Sequence, residues 1–132
     1  MENLPRTCLG RDSADIRALT AVHPDLCVCF DTNHLLAEPA LDFNRAVGAK
    51  TVTTHVSDYD RLDEKHWLPG EGVTDWQELY TALTAVGYKG PWLYELGYTA
   101  PASRPRSRDL TAADFARNAQ EIFAGDKLTV VS

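Results

Sequence analysis

Leu26-Cys27-Val28-Cys29-Phe30-Asp31-Thr32-Asn33-His34 and, beyond one short helix, Thr51-Val52-Thr53-Thr54-His55-Val56-Ser57-Asp58 decide how this chain is read. The first run is apolar until it meets a carboxylate, and the second is β-branched until it meets an imidazole. In a parallel α/β protein, polar residues placed where a strand runs out project into the loops at the C-terminal edge of the sheet, where such folds place their chemistry. Asp31 and His55 are therefore candidates for one shared metal or catalytic site.

The neighbouring segments repeat the pattern. Upstream, Glu2-Asn3-Leu4-Pro5-Arg6 suits the end of a strand and the loop after it. Asp12 or Ser13 then caps a helix with Ile16, Leu19 and Val22 on one face, ended by His23-Pro24. Between the two runs, Pro39 suits a first helical turn, and Leu41, Phe43, Ala46 and Val47 give a helix stopped by Gly48. Downstream lies a polar loop, Ser57 to Val73, long enough to be functional. Thr74 with Gln77 reads as a capping box for a helix whose Trp76, Leu79, Leu83 and Val86 form a stripe before Gly87. A third strand, Pro91-Trp92-Leu93-Tyr94-Glu95, again ends in a carboxylate. After a Pro- and Arg-rich loop, Thr111 with Asp114 caps a last helix that buries Phe115, Ala119, Ile122 and Phe123. Residues 127–132 read as a tail after a domain spanning 1–126. Strands and helices alternate without two adjacent strands, which predicts an α/β fold with a parallel sheet and right-handed crossovers. A (β/α)8 barrel spends about 31 residues on each unit, so this chain has the size of four units, half a barrel.

Composition narrows the partners. With 44% hydrophobic and 24% charged residues the chain is an ordinary globular one, and a net charge of −6 disfavours nucleic acid, whose binding leaves a basic footprint. No apolar run is long enough to span a bilayer and no signal-peptide pattern opens the chain, so a cytoplasmic location and no membrane partner are expected. Cys27 and Cys29 alternate along one strand and point to opposite faces, which suits buried thiols in a reducing compartment better than a disulfide with each other.

Glu2, Asp31, His55 and Glu95 all fall at C-terminal ends of successive predicted strands and would converge on one rim of a parallel barrel. Any one of them alone would equally serve as a cap or an ion-pair partner. Together, three oxygens and one imidazole suit a divalent ion such as Mn2+, Mg2+, Co2+ or Zn2+ with positions left open for substrate.

These stretches, together with His66-Trp67-Leu68-Pro69-Gly70-Glu71-Gly72, Asp75-Trp76, Gly87-Tyr88, Gly90-Pro91 and Tyr94-Glu95, resemble the xylose-isomerase-like (β/α)8 barrels. That family includes sugar isomerases and epimerases and the type-IV abasic-site endonucleases. The resemblance covers the second half of its barrel, strands five to eight. It implies that Glu2, Asp31, His55 and Glu95 are the metal ligands, with Mn2+ the first expectation. It also implies that Glu2 and Glu95 exchange a proton with a small sugar or sugar phosphate through an enediolate. His34 matches a histidine that contacts substrate oxygens. The family's remaining substrate-contacting position falls on Arg61 when counted from His55 and on His66 when counted back from Pro69; His66 is favoured, because the Pro-Gly turn fixes its distance. Asp58 is either a partner of a ligand or a solvated loop acid. The first four barrel strands have no counterpart in this sequence, so three states are expected as alternatives: an incomplete, inactive fragment of a longer gene product, a chain that pairs with a separate N-terminal half, or a homodimer of half barrels. A non-catalytic binding half barrel and an abasic-site endonuclease relative are the alternative readings.

Overall fold

The structure, a computed structural model, describes residues 1–132. Its sheet is parallel, in the order β1 (Val28–Asp31), β2 (Thr51–Val56), β3 (Trp92–Tyr94). Helices α1 (Ser13–Thr20), α2 (Ala40–Val47), α3 (Trp76–Ala85) and α4 (Ala112–Ala124) fill the connections, with a 3-10 turn at Gly48–Lys50. Glu2 adds a single parallel bridge to Cys29, which puts the start of the chain beside β1 where a fourth strand would lie. This is the expected segment of a TIM barrel.

Register carries the site. Asp31 pairs with His55 and His55 with Leu93, and Glu95 follows one residue past β3, its N–H donating to the Val56 carbonyl at 3.0 Å. Because strand side chains alternate, Val28, Phe30, Val56, Trp92 and Tyr94 turn toward the helices. There they meet Ile16, Leu35, Phe43, Val47, Trp76, Leu79, Leu83 and Ile122 in one core. Phe30 and Phe43 stack with ring centroids 4.9 Å apart. Burying each such side chain contributes about 1.5–3 kcal/mol, which pins the strands in the register that aligns their ends. The opposite face carries Cys29, Thr53 and Leu93, and Leu93 is 46% exposed.

Several sequence expectations are corrected in detail. The first cap of α3 is Asp75, whose carboxylate accepts from the Glu78 N–H at 2.9 Å, rather than Thr74. Val86 lies past the end of that helix and is exposed, as is Val22 beyond α1, while Phe123 is only half covered by Tyr80 and Trp92. The capping box of Thr111 and Asp114 is present. Residues 127–132 run along the body: Leu128 packs on the core and over Gly70, and the Thr129 N–H donates to Glu121 Oε2 at 2.8 Å. No helix is long and apolar enough to cross a membrane.

Candidate metal centre

Glu2, Asp31, His55 and Glu95 each present one donor atom, and the four donors lie within 4.8 Å of one another. His55 Nδ1 stands 3.3 Å from Glu2 Oε1, 3.5 Å from Asp31 Oδ2 and 3.1 Å from Glu95 Oε2. Donors held about 2.0–2.2 Å from a common ion are separated by roughly 2.8–3.6 Å in octahedral or tetrahedral geometry, and the three His55 spacings fall within that range. Two of the atoms, Asp31 Oδ2 and Glu95 Oε2, are buried without any hydrogen-bond partner outside the cluster. A buried carboxylate oxygen left unpartnered is costly, and a divalent cation would satisfy both at once. The residues present fit such an ion.

Local structure holds Asp31 in place. Its Oδ1 accepts from the N–H groups of Asn33 at 2.7 Å and His34 at 3.2 Å, an Asx turn that frees Oδ2 for the centre. Asn3, fully buried, clamps the backbone of the same residue: its Nδ2 donates to the Asp31 carbonyl at 2.9 Å and its Oδ1 accepts the Asp31 N–H at 2.8 Å. Asn3 therefore ties the Glu2 segment to β1, a role that adjacency to Glu2 in sequence hints at but does not reveal.

Burial pushes the Asp31 carboxyl up to about 9, helped by its hydrogen bond with Glu95 and by the charges of Glu95 and Glu2, against the backbone donor Asn33. Burial also works to raise Glu95, yet its hydrogen bond with Asp31 and the imidazoles of His55, His66 and His34 outweigh it and leave Glu95 below the usual carboxylate range. Without a metal the pair shares a proton, held by Asp31.

His34 and His66 stand beside the centre, with ring centroids 6.3 Å apart. Each directs Nδ1 at a carbonyl oxygen, His34 at Asn3 (3.0 Å) and His66 at Glu95 (2.9 Å). A carbonyl only accepts, so both rings present an N–H at Nδ1. His34 Nε2 faces Glu64 Oε1 at 3.3 Å. Of the two residues competing for the remaining substrate position, the structure brings His66 to the centre. Arg61 points to a cleft on the helix side with Pro39, Leu41 and Tyr59. Both adopt positive φ, 51° for His66 and 63° for Arg61, and Asn33 Oδ1 accepts the Lys65 and His66 N–H groups at 3.1 and 3.4 Å, which steadies the bend.

Asp58 is neither a metal ligand's partner nor solvated. It is fully buried and accepts from the N–H groups of Tyr59, Gly70, Gly72 and Thr74 and from the Trp76 indole, at 2.9–3.2 Å. The loop from Ser57 to Asp75 is thus folded around one carboxylate, and its antiparallel bridge from Asp58 to Trp67 delivers His66. Gly72 is required there, since a Cβ would lie 2.3 Å from the Tyr59 carbonyl oxygen and 2.4 Å from Asp58 Oδ1. Glu71 and Arg106, both buried, form a two-point ion pair at 2.7 and 2.8 Å that fastens the loop after β3 to this turn. Trp67 donates to Ser103 Oγ at 3.1 Å under the Arg104 guanidinium.

Comparison with known proteins bears on the family and the fold. Residues 1–119 match the model of the xylose isomerase-like TIM barrel family. Among solved structures, a 3-keto-D-glucoside 4-epimerase from E. coli superposes with a TM-score of 0.60 at 22% identity, covering 77% of this chain and 40% of that one. A D-tagatose 3-epimerase-like protein gives 0.53 at 22% identity over 70% and 37%. A xylose isomerase domain protein from Planctomyces limnophilus gives 0.58 at 19% identity over 71% and 37%. At these identities the likeness establishes the fold alone. An uncharacterized protein, y4fM of Sinorhizobium fredii, is 33% identical over 70 residues, 52% of this chain and 22% of its own. The chain thus spans about two fifths of the solved relatives. It belongs to the xylose isomerase-like TIM barrel family.

Proposed function

We propose that this chain supplies the catalytic rim of a divalent-metal-dependent isomerase or epimerase acting on a small sugar. The observation that carries the reading is the convergence of Glu2, Asp31, His55 and Glu95, with two buried carboxylate oxygens that nothing outside the cluster satisfies. A bound divalent ion, Mn2+ first, would hold adjacent carbonyl and hydroxyl oxygens of an open-chain sugar and stabilise negative charge developing on them. Glu2 and Glu95 approach His55 Nδ1 from separate elements, the N-terminal segment and the end of β3. In this reading each would exchange a proton with a substrate carbon, one removing it and the other returning it. His34 and His66 orient hydroxyl groups, their Nδ1 N–H groups held by the Asn3 and Glu95 carbonyls.

The uncovered sheet face with Cys29, Thr53 and Leu93, and the chain's span of about two fifths of the solved relatives, support a requirement for covering βα units. They also favour a second reading, a half barrel that binds metal and ligand without turnover. An abasic-site nuclease draws no support from the acidic balance of the chain. Incubating Mn2+-loaded protein with a ketose panel in D2O tests the choice. Deuterium incorporation at the carbon beside the carbonyl, abolished by Glu95→Gln, is expected; incorporation unchanged by that substitution rejects proton transfer by Glu95.

A further inference from the structure

We propose that Glu2, Cys29 and His55 form a second metal seat, which takes a thiophilic divalent ion of the Zn2+ or Cd2+ class and competes with Mn2+ for two shared ligands. Donor atoms of these three side chains lie within 4.8 Å of one another, as do those of the four-ligand centre. Cys29, half-buried, stands on β1 two residues before Asp31. Strand side chains repeat every second residue, so its thiol is on the same sheet face as Asp31, one layer below it. The register sets Cys29 against Thr53, two residues before His55. On its other side Cys29 bridges Glu2, and its N–H donates to the Met1 carbonyl at 2.6 Å. The strand that carries the thiol therefore runs between the segments that carry Glu2 and His55. Cys8 is exposed in the loop after Glu2, and Cys27 directs its thiol at the Asp25 carbonyl, 3.5 Å away, so neither joins the group.

One sulfur, one imidazole and one carboxylate make the ligand set of an open zinc site, three protein donors with a position left for water. Thiolate selects softer ions, whereas Mn2+ suits oxygen, so the two seats favour different metals. Around an ion with bonds of about 2.0–2.3 Å, tetrahedral donors stand roughly 3.4–3.6 Å apart. His55 and Glu2 already approach to 3.3 Å, and the Glu2 side chain, 32% exposed on the N-terminal segment, is free to swing toward the sulfur. As the ion binds, the Cys29 S–H bond breaks, the sulfur bonds the metal and the proton leaves to solvent, with no change of oxidation state. An ion seated there engages Glu2 and His55 and leaves only Asp31 and Glu95 to hold Mn2+. Occupancy of the lower seat thus expels the ion from the four-ligand centre, and it needs neither sugar nor turnover.

Titration of the metal-free full chain with Cd2+, followed by ultraviolet difference absorption, reads the thiolate-to-metal charge-transfer band directly. The band should saturate at one ion per chain and persist in a Cys8→Ser, Cys27→Ser double variant, in which Cys29 is the sole thiol. Asp31→Asn should keep the band, and Cys29→Ser should abolish it. In parallel, the paramagnetic resonance signal of free Mn2+ should appear as Cd2+ displaces the bound ion, and Cys29→Ser should need about tenfold or more Cd2+ for the same release. Absence of the band in the double variant overturns the seat, whatever Cys29→Ser does to folding. A band lost equally in Asp31→Asn makes Cys29 an accessory of the four-ligand centre and overturns a separate seat. Unchanged Mn2+ release in Cys29→Ser overturns the competition. None of these readouts uses a sugar, so their failure and the failure of the isomerase reading are told apart.

Discussion

Replacing Asp31 by Asn separates what a metal adds to stability from what the fold supplies. Asp31 Oδ1 accepts two backbone N–H groups that an amide oxygen can also accept, whereas Oδ2 has no partner outside the cluster. Burial holds the metal-free carboxyl protonated up to about pH 9, so at pH 7 the substitution exchanges one neutral group for another of the same shape. Metal-free stability should change by less than about 1 kcal/mol, since no cavity, cap or ionised pair is lost. Mn2+ at a hundredfold excess over its Kd should stabilise the unaltered chain by about 2.7 kcal/mol. For a domain of this size that is a rise in Tm of roughly 8–10 °C, and in Asp31→Asn it should shrink to about 2 °C or less. Differential scanning fluorimetry with and without Mn2+ reads both numbers. A full Mn2+ shift in the variant would refute the placement of the centre, and a metal-free Tm lowered by more than about 10 °C would refute the neutral state of the buried carboxyl.

Metal uptake should depend on pH in a defined direction. The folded-state pKa of Asp31, about 9, exceeds its ordinary value of 3.8. Its proton therefore stabilises the metal-free fold most below about pH 4, and that contribution is lost as pH climbs toward 9. Because Mn2+ must displace the proton, its affinity should rise about tenfold per pH unit across this window, and a calorimetric affinity flat between pH 6 and 8 would contradict the shared proton. Asp58→Ala should cost about 3 kcal/mol or more by stranding buried donors, and Gly72→Ala should also destabilise the loop; urea unfolding measures both, and a loss below about 1 kcal/mol would mean that the loop has another anchor. From the uncovered sheet face we expect the isolated chain to form an assembly larger than the 14.6 kDa monomer at micromolar concentration, with a second copy covering that face, or to stay soluble only with a separate N-terminal half. A compact, cooperatively unfolding monomer in sedimentation would contradict it.

Strand ends were legible because apolar and β-branched runs stop abruptly at Asp31, His55 and Glu95, and helices because Phe43, Trp76, Leu79 and Ile122 recur at helical spacing. What sequence could not supply was contact across distance. Asp58 gathers donors 12 to 18 residues away along a loop without periodicity, so its burial has no local signature. His66 is preferred over Arg61 from its distance to the Pro-Gly turn, but the positive φ of both residues and the hold of the Asn33 side chain on the Lys65 and His66 N–H groups have no local signature. Asn3 looked like loop and is a clamp. Val22 and Val86 kept helical spacing past the point where the backbone leaves the helix.

Whether the four strand-end side chains hold one metal ion can be seen outright by anomalous diffraction from crystals of the chain grown or soaked with Mn2+. The expected result is a peak bonded by Glu2, Asp31, His55 and Glu95 at about 2.0–2.3 Å, lost in His55→Ala crystals. A peak seated instead among Asp58, Asp60 and Glu64, or no peak under conditions where the protein is otherwise well ordered, would contradict a shared centre.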